Sequence, residues 1–250
     1  MSINKKVIVC DLDGTLAESK SVLSREMAEV LYEVLRRHFL VVVSGGTYHQ
    51  FQKQFLSQFS CPPELLQNLF LFPTSGSTAY KYDISSGQWE QIYNEVLTEE
   101  EKEKIKSAFK EFIAETGLDL VSPYGDIIED RGSQITFSGR GQEAPFEAKK
   151  TWDPDQSKRL ELLWFLKKKI PEFEIRIGGM TSIDVTRRGI DKAYAIEKIK
   201  NLMGVSSEDI IFVGDALYKG GNDSSVKKTD VDFIQEGGPD ETIELLRQFI

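Results

Sequence analysis

Two carboxylates separated by one residue, Asp11 and Asp13, follow the apolar run Val7-Ile8-Val9-Cys10 and precede Gly14-Thr15. So short and pure an apolar run reads as a strand buried on both faces. In an open parallel sheet ligands bind at the carboxyl ends of the strands, and acidic side chains there are poor packing residues. In an extended strand the two would point the same way, but the chain turns at Gly14, so they can take separate roles. The chemistry this favours is an aspartate nucleophile beside an aspartic acid/base, with a magnesium ion offsetting the negative charge. D-x-D-G also occurs in plain acidic turns and calcium loops.

Three later stretches could complete such a site. The apolar run Phe39 to Val43 ends at Ser44-Gly45-Gly46-Thr47, where a hydroxyl and the following backbone N–H groups could hold a phosphate; a Gly-rich turn without function fits equally well. Lys192 stands near the start of a helical stretch and could neutralise both a carboxylate and a phosphoryl group, or simply be a solvated lysine. Asp215 follows Ile210-Ile211-Phe212-Val213 and Gly214, a place suited to a magnesium ligand or to a helix cap. His38 and His49 have no carboxylate at ligand spacing and receive no role.

The elements that must position these residues follow from periodicity and capping. Ser24 caps a helix to about Arg37 with the stripe Met27, Val30, Leu31, Val34 and Leu35. Leu69 to Phe72 is a short strand. Thr98 and Glu101 form a capping box opening a helix to about Thr116. Strands are expected near Ile127 to Asp130 and at Gln134 to Ser138, then a helix from about Pro154 to Lys169. Glu174 to Thr186 reads as one strand, or as two broken at Gly178-Gly179. Lys192 opens a helix to Met203 that Gly204 can terminate, and the last helix runs from about Glu241. The middle of the chain is thus an α+β unit set between stretches of β-α-β rhythm.

The 250 residues are 40% hydrophobic and 28% charged, an ordinary globular composition with ample material for a core. A net charge of −9 argues against nucleic acid as a partner but not against a small anion, which local basic residues can hold. No apolar run is long enough to cross a bilayer, and Met1 to Lys6 leads into the first strand without a signal peptide, so a cytoplasmic location is expected. The two cysteines, Cys10 and Cys61, read as reduced thiols.

DLDGT after VIVC resembles the first motif of the haloacid dehalogenase-like phosphotransferases, and the later segments follow in the order that superfamily requires. The second motif is a Ser or Thr after the second strand: Ser44 fits the position, while the GGS of phosphomannomutases makes Thr47 a second candidate. Pro73 to Tyr80 resembles the PENGxxAY loop of phosphomannomutases, with Thr-Ser replacing Glu-Asn. RRGIDKAYAI resembles DGWDKRYCL, and GDALYKGGND resembles GDxxxxGGND. The resemblance implies an α/β fold, a Rossmann-like parallel-sheet core of residues 1–80 and 188–250 with an inserted α+β cap over 81–187.

It further implies that Asp11 forms an aspartyl phosphate while Lys192, Ser44 and Mg²⁺ stabilise the transferring group. Asp13, carrying a proton at the first step, serves the leaving oxygen and later the acceptor. The metal set implied is Asp11, Asp13 through its carbonyl, Asp215, Asn222 and Asp223. In the cap, Arg131 and Arg140 resemble the two phosphate-binding arginines of FRNGxLNVSPxGR; a third, expected a turn later, is absent, and Lys149 and Lys150 are the nearest cations. Ser182 and Asp184 in IGGMTSIDV match the residues that bind sugar hydroxyls.

The reading is a phosphomannomutase-like enzyme interconverting hexose 6-phosphate and hexose 1-phosphate, with a hexose bisphosphate as activator. Its partner would be a small-molecule sugar phosphate, with neither nucleic acid nor membrane, and the oligomer stays open between monomer and homodimer. The nearest rival is a sugar-phosphate phosphatase using water as acceptor. A non-catalytic sugar-phosphate binder is disfavoured, because a binder needs no nucleophile and acid together.

Overall fold

A computed structural model describes residues 5–19, 21–118, 120 and 123–250, so residues 1–4 of the expected leaderless start lie outside the described residues. In chain order the strands are β1 (Val7–Asp11), β2 (Phe39–Val43), β3 (Leu69–Phe72), β4 (Thr78–Asp83), β5 (Gln88–Asn94), β6 (Ile128–Asp130), β7 (Gln134–Ser138), β8 (Phe173–Gly178), β9 (Ser182–Arg187), β10 (Ile210–Gly214) and β11 (Asp232–Gln235). The α-helices are α1 (Arg25–Leu35), α2 (Tyr48–Phe51), α3 (Pro63–Leu66), α4 (Glu99–Thr116), α5 (Phe146–Trp152), α6 (Ser157–Lys169), α7 (Lys192–Met203) and α8 (Pro239–Leu246). They divide into two compact units, residues 1–94 with 191–250, and residues 95–190.

The first unit is built on a seven-stranded sheet ordered β11-β10-β1-β2-β3-β4-β5, parallel from β11 to β3 and antiparallel thereafter. Strand alternation splits the apolar runs between two cores. Ile8, Cys10, Leu40 and Val42 pack with the stripe of α1 and with Ile243 and Leu246 of α8. Val7, Val9, Val41 and Val43 pack with Ala195, Ile196 and Ile199 of α7. Each fully buried Val, Ile or Leu contributes about 1.5–3 kcal/mol, so the central strands are the most heavily fastened part of the sheet. From β1 the chain proceeds outward to β2 and β3, then returns on the other side as β10 and β11. The switch point lies between β1 and β10, where an open α/β sheet forms its binding crevice.

The second unit has a four-stranded antiparallel sheet ordered β6-β7-β9-β8. Ile135, Phe137, Ile183 and Val185 pack on Phe109 and Phe112 of α4 and on Leu162 and Leu166 of α6, with the Phe109 and Phe137 rings stacked at 5.6 Å. The alternate residues of these strands are polar and form the opposite face.

Several expected boundaries move. The first unit ends after Asn94 rather than at residue 80, because β4 and β5 form a hairpin that continues the core sheet from β3, and it resumes at Asp191 rather than 188. The helix expected from Pro154 begins at Ser157 as α6, after Pro154 and the left-handed Gln156 (φ +63°), with the Asp153 carboxylate capping it by accepting from the N–H groups of Lys158 and Arg159; the short α5 before it, Phe146–Trp152, is additional to the expected elements. Residues 174–186 form two strands, and α8 begins at Pro239, two residues before the expected start.

Candidate active site

Asp11 is the last residue of β1, and Asp215 follows β10 directly, so the pairing of β1 with β10 sets the two side by side. Lys192 is the first residue of α7, a position fixed by Asp191, whose carboxylate accepts from the Tyr194 N–H at 3.0 Å as the N-cap. Its ammonium donates to Asp11 Oδ1 at 2.5 Å and to Asp223 Oδ1. Asp223 Oδ2 in turn accepts from the Ala216 N–H at 3.1 Å. Carboxylate oxygens of Asp11, Asp215 and Asp223 lie within 4.8 Å of one another. Gly14 (φ +87°) lets the turn after β1 pass close to the Asp215 carboxylate, since a Cβ there would stand 2.6 Å from Asp215 Oδ2.

The electrostatics are those of a buried charge cluster. Asp11 is 1% exposed. Burial raises its carboxyl well above the usual range, and Asp223 and Asp215 add to this against the opposing pull of Lys192. Burial opposes the charge of Lys192, but Asp11 and Asp223 outweigh it and hold the ammonium above its ordinary value. Asp215 is also raised, first by burial and then by Asp223. Asp11 Oδ2 and Asn222 Oδ1 are buried with no hydrogen-bond partner. Three clustered carboxylates with an unpartnered oxygen on Asp11, and Asn222 next in the chain to Asp223, form a hard-oxygen donor set deficient in positive charge, which suits Mg²⁺.

Ser44 and Thr47 stand at the end of the neighbouring strand β2. The Ser44 hydroxyl accepts from the Gly46 N–H at 3.1 Å, whereas the Thr47 hydroxyl caps α2 by accepting from the Gln50 N–H at 3.2 Å. The loop is clamped from β3: Thr74 and Ser75, both at positive φ (+50° and +59°), donate their N–H groups to the carbonyls of Gly46 and Ser44. A β-branched residue in that conformation stores strain, and such strain concentrates at functional sites. The Thr-Ser pair that departs from the resembled loop therefore holds the Ser44 turn in place.

Gln54 is a site neighbour that periodicity did not single out. It lies in the one-turn π-helix Gln52–Leu56 that continues α2, is buried, and donates to Asp13 Oδ1 at 3.4 Å. Its only signal was a polar residue placed beside Phe51 and Phe55. Thr15, the hydroxyl of the first motif, donates to Asp215 Oδ1 at 3.4 Å.

In the second unit the polar sheet face carries Asp184, whose Oδ1 accepts from the Thr136 hydroxyl at 2.7 Å, and Ser182, in register with Ser138. Arg131 closes the β6–β7 turn with its guanidinium on Glu129 and on Gln142. Arg140 lies over the Tyr124 ring at 5.7 Å.

The family profile described as "Eukaryotic phosphomannomutase" matches residues 27–250. The chain belongs to the eukaryotic phosphomannomutase family. Phosphomannomutases from Encephalitozoon cuniculi, 29% identical over 98% of this chain and 93% of the relative, and from Schizosaccharomyces pombe, 30% identical over 89% and 85%, are among its relatives. At the level of fold alone it is similar to a haloacid dehalogenase-like hydrolase from Bacteroides thetaiotaomicron (TM-score 0.63, 18% identity, 98% of this chain and 100% of that one). A similar match is to an N-terminally truncated IMP-nucleotidase from Plasmodium falciparum (TM-score 0.70, 14% identity, 99% and 70%). The Rossmann-like core with an inserted α+β unit is thus the fold of a haloacid dehalogenase-like protein. No helix among the described residues is long and apolar enough to cross a membrane.

Proposed function

We propose that this member of the phosphomannomutase family transfers a phosphoryl group through Asp11 and interconverts hexose 6-phosphate and hexose 1-phosphate. The observation that carries the reading is Asp11 itself: a carboxylate buried at a strand end, held on one oxygen by Lys192 and without a partner on the other. That arrangement is costly as packing and useful as a nucleophile.

Asp11 attacks phosphorus, the bond to the sugar oxygen breaks, and Asp13 supplies the proton that oxygen needs. In the second half Asp13 takes the proton of the acceptor hydroxyl as the phosphoryl group leaves Asp11. Gln54 orients Asp13, and Lys192 favours the ionised form of Asp11 against its burial and offsets charge on the transferring group. The Ser44 hydroxyl supplies a donor for a phosphoryl oxygen, with Thr47 capping α2 beside it. Mg²⁺ would be held by Asp11, Asp215, Asp223 and Asn222 with the Asp13 carbonyl, and would supply charge neutralisation at the phosphoryl group. Arg131 and Arg140 would grip the substrate phosphate that is not being transferred, and Ser182 and Asp184 the sugar hydroxyls.

The test is incubation with Mg²⁺ and mannose 1-phosphate, with and without a hexose bisphosphate, following mannose 6-phosphate and inorganic phosphate separately. Formation of the 6-phosphate that depends on bisphosphate supports the mutase. Release of phosphate alone replaces it with a sugar-phosphate phosphatase.

A further inference from the structure

The polar face of the four-stranded sheet contains one row that crosses every strand in register. Glu129 of β6 faces Thr136 of β7, Thr136 faces Asp184 of β9, and Asp184 faces Arg176 of β8. Phe173 and Ile175 of β8 point into the apolar core, so strand alternation sets Arg176 and Glu174 on the same side as Asp184.

The two edges of this sheet each carry an arginine held by a glutamate. At the end of β6 the guanidinium of Arg131, the first residue of the β6–β7 turn, is held by Glu129, two residues earlier, at 2.7 Å. On β8 the guanidinium of Arg176 is held by Glu174, also two residues earlier, at 3.1 Å. Each pairing directs a planar five-donor fork along the strand from which it rises. Between them Asp184 is fixed by Thr136, which itself accepts from Gln134 at 2.9 Å. Gly178 keeps β8 clear of this carboxylate, since a Cβ there would stand 2.9 Å from Asp184 Oδ2. A hydroxyl-binding carboxylate with a braced guanidinium beside it in register on β8, and a second braced guanidinium at the far edge of the sheet, matches a ligand that is a polyol at its centre and an anion at its end. Arg176 is the more accessible of the two, its side chain 23% exposed against 6% for Arg131.

We infer that Arg176 is a substrate-binding residue that contacts the phosphate of the sugar phosphate held over Asp184. This rests on the reading of Ser182 and Asp184 as the sugar-binding pair. It adds a cation from the opposite edge of the sheet to the one Arg131 provides.

The experiment is calorimetric titration of mannose 1-phosphate into the full chain with Mg²⁺, for wild type, Arg176→Gln and Arg176→Lys, beside assays of isomerisation and of acetyl phosphate hydrolysis. Arg176→Gln should weaken mannose 1-phosphate binding about ten- to a hundred-fold. Acetyl phosphate, which carries no sugar, should be hydrolysed as by wild type. Equal affinity in Arg176→Gln and wild type overturns the inference, whatever the isomerase result. If Arg176→Gln fails to fold, Arg176→Lys decides: an ammonium lacks the planar fork, so affinity must still fall about fivefold or more, and undiminished binding overturns the assignment. A wild type that binds mannose 1-phosphate through Arg176 without isomerising it leaves this inference standing and removes the mutase. A wild type that binds none removes both.

Discussion

The Lys192 ammonium lies 2.5 Å from Asp11 Oδ1 across 181 residues of chain, and the same group reaches Asp223. One cation therefore joins the end of β1, the start of α7 and the loop after β10, which makes it structural as well as chemical. Because its folded value is raised, the stability it contributes is fully present below the ordinary lysine value and is lost only as pH rises through the folded one, so at neutral pH it is complete. Lys192→Met should leave Asp11 and Asp223 uncompensated and cost about 3–5 kcal/mol. Its deficit should shrink as pH falls, since the Asp11 carboxyl, already raised by burial, takes up a proton and sheds uncompensated charge. Denaturant midpoints across about pH 5 to 8 test this; a deficit independent of pH would contradict the pairing.

Asp11→Asn is expected to keep the fold and lose the nucleophile. Phosphoryl transfer should drop about a thousandfold or more, and no beryllofluoride adduct should form on the variant. An Asn variant retaining a large share of wild-type turnover would remove Asp11 from its role.

Metal removal gives the third expectation. Exhaustive EDTA treatment should abolish activity, and Asp215→Asn should raise the Mg²⁺ concentration needed for half-maximal rate. Independently of activity, Mg²⁺ at a hundred times its dissociation constant should stabilise the wild type by about 2.7 kcal/mol, read as a rise in thermal midpoint. Activity that survives chelation would contradict the site drawn from Asp11, Asp215 and Asp223.

Arg140 distinguishes transfer between sugar positions from simple hydrolysis. A charge-assisted contact of about 1.5–3 kcal/mol is lost in Arg140→Ala, so isomerisation should fall about ten- to a hundred-fold. Acetyl phosphate, with no second phosphate to grip, should be hydrolysed at the wild-type rate. Equal losses on both substrates would mean that Arg140 acts on the chemistry or the fold instead.

The second unit should carry its own acid sensitivity. Hydrogen bonds from Arg187, together with the Thr98 cap, hold the Glu101 carboxyl down at about 2. A depressed carboxyl stabilises the fold above its ordinary value and loses that contribution as pH falls through the folded one, here between about 4.5 and 2. The pair is partly exposed, so the effect should stay below about 1 kcal/mol. Urea unfolding of Glu101→Gln against wild type over that window should show the variant less sensitive to acid; identical slopes would argue against the coupling.

Local signals were strong where one short stretch contains its own cause. The run before Asp11 is a buried strand, Thr98 and Glu101 do form a reciprocal cap, and α7 runs from Lys192 to Met203 between the cap Asp191 and the left-handed Gly204. Strand β5 gave no such signal, because its residues alternate irregularly between exposed and half-buried and it is recruited to the core sheet by β4.

The sequence by itself determined which residue types stand at the strand ends: Asp11, Ser44 and Asp215, with Lys192 at a helix start. Chain spacing says nothing of distance between residues some two hundred positions apart, so only the order β10-β1-β2 decided that Asp215, Asp11 and Ser44 end on adjacent strands. Partnership is likewise a tertiary property. Gln54 reaches Asp13 because a π-turn rotates it there, and Arg176 flanks Asp184 because strand register aligns them, since neither periodicity nor composition encodes what lies across a sheet.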